Sequence, residues 1–444
     1  MEKPERISRR RLLCGATAAA FVGPCIMTSS ARAAKGRPAP NDMIALGCIG
    51  LGGRGNALMG SFLKVGLDDT RTVAVCDVNE KNRLDAKGRV EKFYADNLAK
   101  GAFRGCDAYN DFRDLLARSD IDAVVIATPD HWHVPIGIAA AKAGKDTYIE
   151  KPLGKSVEQG RALCNAVKEN KRIFQFGTQQ RSDRRFRLAS EIARNGKIGK
   201  LVTIKVGSPF SGREAAQPTM PVPAGLDYAL WLGPAPQKPY DEKRSKTPWW
   251  YFISDYALGF IAGWGIHHVD IAQWGNGTDL TGPIEVAGCG DFPPPGEMCD
   301  TATGWMVACK YANGVTLIYA DEKKIRHGIT FEGTDGWVFV DRQRIEAEPE
   351  SLLKWEPGPN DIRLYRSDDH SRNFLDCIRS RKETICPVEV AHRSDTICHL
   401  SDIAIRVGFK LQWDPDKERF IGKDEATGKA NEMLSKPVRA PWHL

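Results

Sequence analysis

No run in the 444-residue chain reaches the roughly 18 consecutive apolar residues that a membrane-spanning helix requires. There is no C-x-x-C pair and no zinc-like spacing among the 12 scattered cysteines, and no metal is expected. Cys48 and Cys76 fall inside apolar, strand-like runs, where a thiol behaves as a small hydrophobe. Spacing does not say which of the remaining cysteines could form disulfides. Internal repeats and low-complexity tracts are absent, which excludes repeat architectures. A strong excess of one charge is missing too. The formal charge is +7, but residues 1–33 carry six Lys or Arg against two Glu, which leaves about +3 for the rest. The densest basic group beyond them, Arg181, Arg184, Arg185 and Arg187, reads as a solvated helix start. A nucleic-acid binder concentrates basic residues on one face, so no nucleic-acid partner is expected.

What is present begins with an address. Ser8-Arg9-Arg10-Arg11-Leu12-Leu13 leads into a weakly apolar run, and Ala31-Arg32-Ala33 forms an A-x-A cleavage site. A paired arginine before a mild apolar segment resembles a twin-arginine signal over residues 1–33. It predicts a periplasmic or secreted protein exported already folded. Such a protein would acquire any nucleotide in the cytoplasm.

The next segment, 42–165, alternates strands with helices. Ile44 to Ile49 is strand-like and runs into Gly50-Leu51-Gly52-Gly53-Arg54-Gly55, a G-x-G-x-x-G match that a helix over Asn56 to Lys64 can follow. A second strand, Thr72 to Cys76, ends in Asp77, close to the ~20-residue spacing of a dinucleotide fingerprint. Gly50 would make the tight turn. Gly52 would let backbone approach a pyrophosphate, and Gly55 would let the helix pack closely. Asp77 would accept hydrogen bonds from the adenosine ribose and repel a 2′-phosphate, which favours NAD over NADP. Helices over Lys81–Leu98, Phe112–Ala117 and Pro135–Ala143 and strands over Ile121–Ala127 and Asp146–Ile149 extend the pattern into a doubly wound parallel sheet. Ile173 to Phe176 finishes it.

At residues 121–154 the chain reads IDAVVIATPDHWHVPIGIAAAKAGKDTYIEKPLG. This resembles the Gfo/Idh/MocA oxidoreductase family, whose pattern is T-P, a His four residues on, a helix, A-G-K and E-K-P. The matching residues are Thr128, Pro129, His133, Gly144-Lys145 and Glu150-Lys151-Pro152. The resemblance implies a nucleotide site formed by Gly50, Gly52, Gly53, Arg54, Gly55, Asp77, Thr128, Pro129, His133, Glu150 and Lys151. It also implies a role for Lys151 in shuttling the proton of a reacting hydroxyl. Family members carry D-x-G-x-H-x-x-D further on. Here Gly263-Trp264-Gly265-Ile266-His267-His268-Val269-Asp270 keeps His267 and Asp270 and replaces the leading Asp by Gly263. His267 is the second catalytic candidate, because imidazole is poised near neutral pH. His131-x-His133 and His267-His268 could also suggest a metal pair, but the family pattern already accounts for His133 and His267.

From 166 to 420 the pattern turns β-rich, with strong hairpin turns at Asn313-Gly314 and Asp335-Gly336. The fold class is therefore α/β: an N-terminal Rossmann domain followed by an α+β domain with a large open, mainly antiparallel sheet. A tail covers 421–444. The resemblance implies that Gln179 and Arg181 line the cleft, that Asp270 faces substrate, and that the sheet forms a homo-oligomer contact. Residues 208–252 are Pro-rich and end in Trp249-Trp250-Tyr251-Phe252. Trp249 and its neighbours either hold the apolar face of a sugar or simply pack the loop.

The implied activity is NAD-dependent oxidation of a secondary hydroxyl on a sugar or cyclitol. Two alternatives stand beside it. One is a glycosidase working by transient oxidation, identified by release of a leaving group without net redox change. The other is a sugar-binding relative that has lost catalysis, for which Gly263 speaks and the retained Lys151 and His267 speak against.

Overall fold

The alternation of short apolar runs with helical segments builds a six-stranded parallel sheet. In the computed structural model, which describes residues 43–444, its strands are β1 (Ile44–Ile49), β2 (Thr70–Cys76), β3 (Asp107–Tyr109), β4 (Ala123–Ile126), β5 (Asp146–Ile149) and β6 (Phe174–Phe176). Their order is 3-2-1-4-5-6 and every pairing is parallel. The order reverses at β1, between β2 and β4, and a doubly wound sheet opens its ligand crevice at the strand ends there. The signal-like residues 1–33 lie outside the described residues.

Helices α1 (Gly53–Val65), α2 (Glu80–Asn97), α3 (Phe112–Leu116), α4 (Asp130–Lys142) and α5 (Val157–Glu169) cover the two faces. Strand residues alternate between them. Val125 and Tyr148 share a cluster with Leu58 and Phe62 of α1, whereas Val124, Ile126 and Ile149 share one with Ile136 of α4 and Leu163 of α5. A strand buried on both faces reads as a continuous apolar run, which is why these strands are visible in the sequence.

One boundary differs. The expected start of α4 at Pro135 gives way to a start at Asp130, with Pro135 inside the helix. A proline there lacks one N–H and disfavours the helix. The extra turn is held by side chains: His131, Trp132 and His133 all find backbone partners from it.

The second sheet has nine strands: β7 (Leu201–Ser208), β8 (Glu285–Asp291), β9 (Gly304–Lys310), β10 (Thr316–Asp321), β11 (Gly328–Gly333), β12 (Trp337–Val340), β13 (Ile345–Glu348), β14 (Leu411–Asp414) and β15 (Arg419–Ile421). They run in the order 13-12-11-7-10-9-8-14-15. All neighbours are antiparallel except β7 and β10. Asn313-Gly314 joins β9 to β10 and Asp335-Gly336 joins β11 to β12, as the turn residues predict. β9 buries Trp305, Val307 and Cys309 and exposes Met306, Ala308 and Lys310, so one face of the sheet is covered and the other open. Helices α6 (Arg184–Arg194), α7 (Ile266–Asn276) and α9 (Val388–Val407) supply apolar residues to the core of the covered face. Helix α8 (His370–Ser380) instead returns to the first sheet, where Phe374 meets Phe62 edge-on at 6.1 Å.

The cysteines Cys48 and Cys76 are buried in the core as expected, and all ten described cysteines are free thiols. The last segment is ordered onto the body. It forms a helix over Glu425–Glu432, and Trp442 then packs 4.7 Å from Trp132 and 6.3 Å from Phe112.

Candidate functional site

The strand-to-helix turn after β1 sets the first wall of a cavity of about 510 Å³. Its four glycines divide into two kinds. A Cβ on Gly50 would stand 2.6 Å from the Thr128 amide, and one on Gly55 would stand 1.8 Å from the Gly50 carbonyl. Gly50 also needs a φ of 84°, which L residues avoid. These two glycines close the turn and seat α1. A Cβ on Gly52 or Gly53 would meet nothing within 4 Å. Those two leave bare backbone facing the crevice at the N-terminus of α1, where free amides and the helix dipole suit an anion. The residues present therefore fit a dinucleotide pyrophosphate.

Asp77 ends β2 at the next corner. Its carboxylate accepts from the Leu51 amide at 2.6 Å and the Asn79 amide at 2.8 Å. Burial raises its pKa, and the two amides oppose that rise. Each oxygen keeps a free lone pair for a ribose hydroxyl. Asn79, Asn82 and Asn110 line the same end. Arg83, which spacing alone sets aside, reaches back to 3.4 Å from the Asp77 carbonyl and 3.3 Å from Asn110.

Across the crevice, Arg54 reaches over to Glu150 with two bonds of 2.8 and 2.6 Å. Gln179 donates to Glu150 at 2.9 Å and to the Tyr148 hydroxyl at 2.7 Å. Burial works against ionisation of Glu150, but the charges of Arg54 and Lys151 outweigh it and hold the carboxyl below its ordinary value. Thr128 and Pro129 line the cavity between the two walls. The ring nitrogens of His133 face the carbonyls of Pro152 at 2.6 Å and Thr128 at 2.8 Å. Burial lowers its pKa, and the neutral ring donates to one of these carbonyls while packing against the other; it does not line the cavity.

Lys151 follows β5 at the C-terminal end of the sheet and lines the cavity. Its ammonium donates to the Gly263 carbonyl at 2.6 Å and lies 5.9 Å from the centre of the Tyr251 ring. Burial lowers its pKa, partly offset by Glu150 and Asp130. A lysine lowered in this way gives up its proton more readily than a solvated one. Gly263 thus contributes its main chain where the family pattern carries a carboxylate. A Cβ there would touch Tyr251 at an ordinary 3.4 Å.

His267 lies in the first turn of α7, and its Nδ1 has no partner. Burial, reinforced by the charges of Lys151 and Arg342, holds its pKa well below the ordinary value. The ring is neutral and within electrostatic reach of Lys151, behind the cavity wall. His268 is fully buried and turns to the Gly207 carbonyl at 2.9 Å, as a packed core histidine does.

Two expected substrate contacts are elsewhere. Arg181 and Asp270 are 2% and 0% exposed and form a two-point pair of 2.7 and 2.8 Å, extended by Asp279 at 2.8 Å and Ser394 at 2.8 Å. Neither lines the cavity. They join α7 to the loop after β6, because a buried charge needs a charged partner. Trp249 also misses the cavity and lies under Lys243, whose ammonium is 5.0 Å from its ring. The next two residues, Trp250 and Tyr251, face inward instead.

The insertion that carries them roofs the cavity. Its backbone is fastened to the end of β2: the Asp227 amide donates to Val78 at 3.0 Å, and the Glu80 amide donates to Gly225 at 2.8 Å. The motif on α4 holds the other side. His131 contacts the Trp231 carbonyl at 2.9 Å, and the Trp132 indole donates to Leu230 and Trp231 at 3.0 and 3.1 Å. Sequence reasoning named Tyr251 only within its aromatic run and did not single out Arg342 or Asp130, the acid between Pro129 and His131.

Comparison with known proteins agrees with this geometry. Residues 44–178 match the model of the oxidoreductase family's NAD-binding Rossmann fold, and residues 197–444 match that of its C-terminal α/β domain. A glycosyl hydrolase family 109 protein of Solibacter usitatus is 30% identical over 133 residues, which is 30% of each chain. The chain thus spans about a third of the length of such curated relatives. The WlbA dehydrogenase of Bordetella pertussis, solved with NADH and UDP-GlcNAcA, superposes with a TM-score of 0.62 at 18% identity over 84% of this chain and 99% of that one. A levoglucosan dehydrogenase solved with NADH and levoglucosan gives 0.60 at 17% over 83% and 99%. These two likenesses carry the fold. The family models cover most of the described residues, and the glycine turn, the acid after β2 and the lysine after β5 sit where a nucleotide crevice requires them: the chain belongs to the Gfo/Idh/MocA family of NAD-binding oxidoreductases.

Proposed function

We propose that the protein oxidises or reduces a secondary hydroxyl of a sugar or cyclitol with NAD. The observation that carries this reading is Lys151: a partly desolvated amine at the sheet's C-terminal edge, fixed by the Gly263 carbonyl and facing the cavity beside Tyr251. A bound nicotinamide supplies the two-electron acceptor for the carbinol C–H. Gly52, Gly53 and the α1 N-terminus hold its pyrophosphate, and Asp77 holds the adenosine ribose. Lys151 takes the hydroxyl proton, and the buried neutral His267 shapes the field behind it. Trp231, Trp250 and Tyr251 exclude water and offer rings to the apolar face of a sugar.

A glycosidase acting by transient oxidation is the second reading, favoured by the partial likeness to glycosyl hydrolase family 109 proteins. The leader is proposed to direct export of the folded protein, and the open face of the nine-stranded sheet is proposed as a contact between subunits.

The test is direct. Purified protein is denatured and the released nucleotide assayed. Native protein is incubated with sugars and aryl glycosides while absorbance near 340 nm is followed. Stoichiometric NAD(H) whose redox state changes with a sugar supports the oxidoreductase. Aglycone release without net redox change supports the glycosidase. Absence of nucleotide, with no binding of added NAD, defeats both.

A further inference from the structure

The T-P-D-H-W-H segment gives each of its last three residues a structural partner. His131 and Trp132 tie down the 230–231 backbone, and His133 braces Thr128 and Pro152. Asp130 has none, and the Thr128 hydroxyl is likewise without a partner. It is 1% exposed, it lines the cavity, and neither carboxyl oxygen has a hydrogen-bond partner. Leaving a buried carboxyl unsatisfied is costly, and such groups persist where a ligand completes them.

We propose that Asp130 is a substrate-binding residue whose carboxyl receives a hydroxyl of the polyol substrate next to Lys151. The inference rests on the proposed oxidoreductase reading and adds to it a contact in the same cavity as Lys151.

The surroundings specify the ligand. Lys151, Lys155, Asp395 and Tyr251 are the ionisable groups whose fields Asp130 shares. No group of three or more His, Cys, Asp or Glu that could hold a metal ion occurs among the described residues. Burial pushes the Asp130 carboxyl up to about 8, against the pull of Lys151 and Lys155. A carboxyl that is mostly protonated at neutral pH both donates and accepts, which is the pattern of an alcohol. Lys155 does not compete for it, because its ammonium is bound to the carbonyls of Ser254 and Ala257.

The experiment compares wild type with Asp130→Asn, which keeps the shape, and Asp130→Ala, which removes the group. Bound nucleotide is assayed after denaturation. Levoglucosan, myo-inositol and a panel of methyl glycosides serve as probes at 340 nm, and melting is followed from pH 5 to 9. We expect unchanged nucleotide content in both variants. KM for the responding sugar should rise about tenfold or more in Asp130→Ala, the value of one good hydrogen bond, with a smaller rise in Asp130→Asn.

The pH profile of kcat/KM should lose a limb near 8. The folded state keeps a proton that the unfolded chain loses near pH 4, so this carboxyl's contribution to stability is present at low pH and is lost as pH rises to about 8. Both variants should therefore melt less steeply with pH than wild type. Unchanged KM and pH profile in Asp130→Ala would overturn the proposal. Loss of nucleotide from Asp130→Asn would overturn it as well, by making the nucleotide the carboxyl's partner. A wild type that holds nucleotide and answers no sugar removes the oxidoreductase reading, and this inference with it.

Discussion

Lys151 is a half-buried cation and Arg181 a fully buried one, and their surroundings give them opposite fates. Arg181 has carboxylates on two sides and the Trp274 ring 5.1 Å away, so its charge is fully compensated. Lys151 has only a carbonyl in direct contact. Breaking the first should harm folding, and removing the second should harm chemistry. Asp270→Asn should lower unfolding free energy by about 1.5–3 kcal/mol, the cost of weakening charged hydrogen bonds while Asp279 stays on Arg181, measured by urea denaturation. Lys151→Met should melt at or near the wild-type temperature and keep its nucleotide. Its turnover should fall by about 10²–10⁴, the usual contribution of a positioned proton carrier. The sequence does not separate the two cases. Arg181 and Asp270 are 89 positions apart, and local pattern carries no sign that they will meet in the core. Lys151 was readable because strand, turn and E-K-P lie together.

At the scale of elements, the glycine turn offers a sharper contrast. Gly55→Ala would drive a Cβ into the Gly50 carbonyl, and backbone on both sides has nowhere to go. It should lower both the melting temperature and nucleotide content. Gly52→Ala has open space, and its φ of −65° suits alanine. It should fold as wild type and still lose nucleotide affinity, because the methyl group occupies the place of the pyrophosphate. Equal melting losses in the two variants would contradict this division. The parallel sheet and the β9–β10 and β11–β12 hairpins were legible because buried runs and N-G or D-G turns are local signals. The short strands β13, β14 and β15 were not, since three or four residues carry little periodicity. Neither was the parallel pairing of β7 with β10, which joins segments more than 100 residues apart. The early start of α4 was hidden because Pro135 reads as a first-turn residue until the partners of His131 and Trp132 are seen.

Across the whole molecule, the chain's end closes on its middle. Arg439 donates from its amide and side chain to the carbonyls of Pro234 and Ala235, at 2.9 and 2.8 Å, directly behind the roof. Trp442 then covers Trp132 and Phe112, two residues that line the cavity from below, and Arg113 lies 5.1 Å over its ring. The roof and α4 both line the crevice, so a nucleotide leaving between them would part the two. The roof is therefore backed by contacts made nearly 400 residues along the chain from the glycine turn. Trp442→Ala removes the aromatic packing, worth about 1–2 kcal/mol for an edge-to-face pair with partial burial. If opening limits release, the nucleotide should dissociate about tenfold faster, since 1.4 kcal/mol is a factor of ten. The rate can be followed by fluorescence as bound NADH is chased with unlabelled NAD. A rate equal to wild type would mean that the roof opens without disturbing the tail. A roof fastened by residues 439–442 would slow release in this way without added affinity at the phosphates.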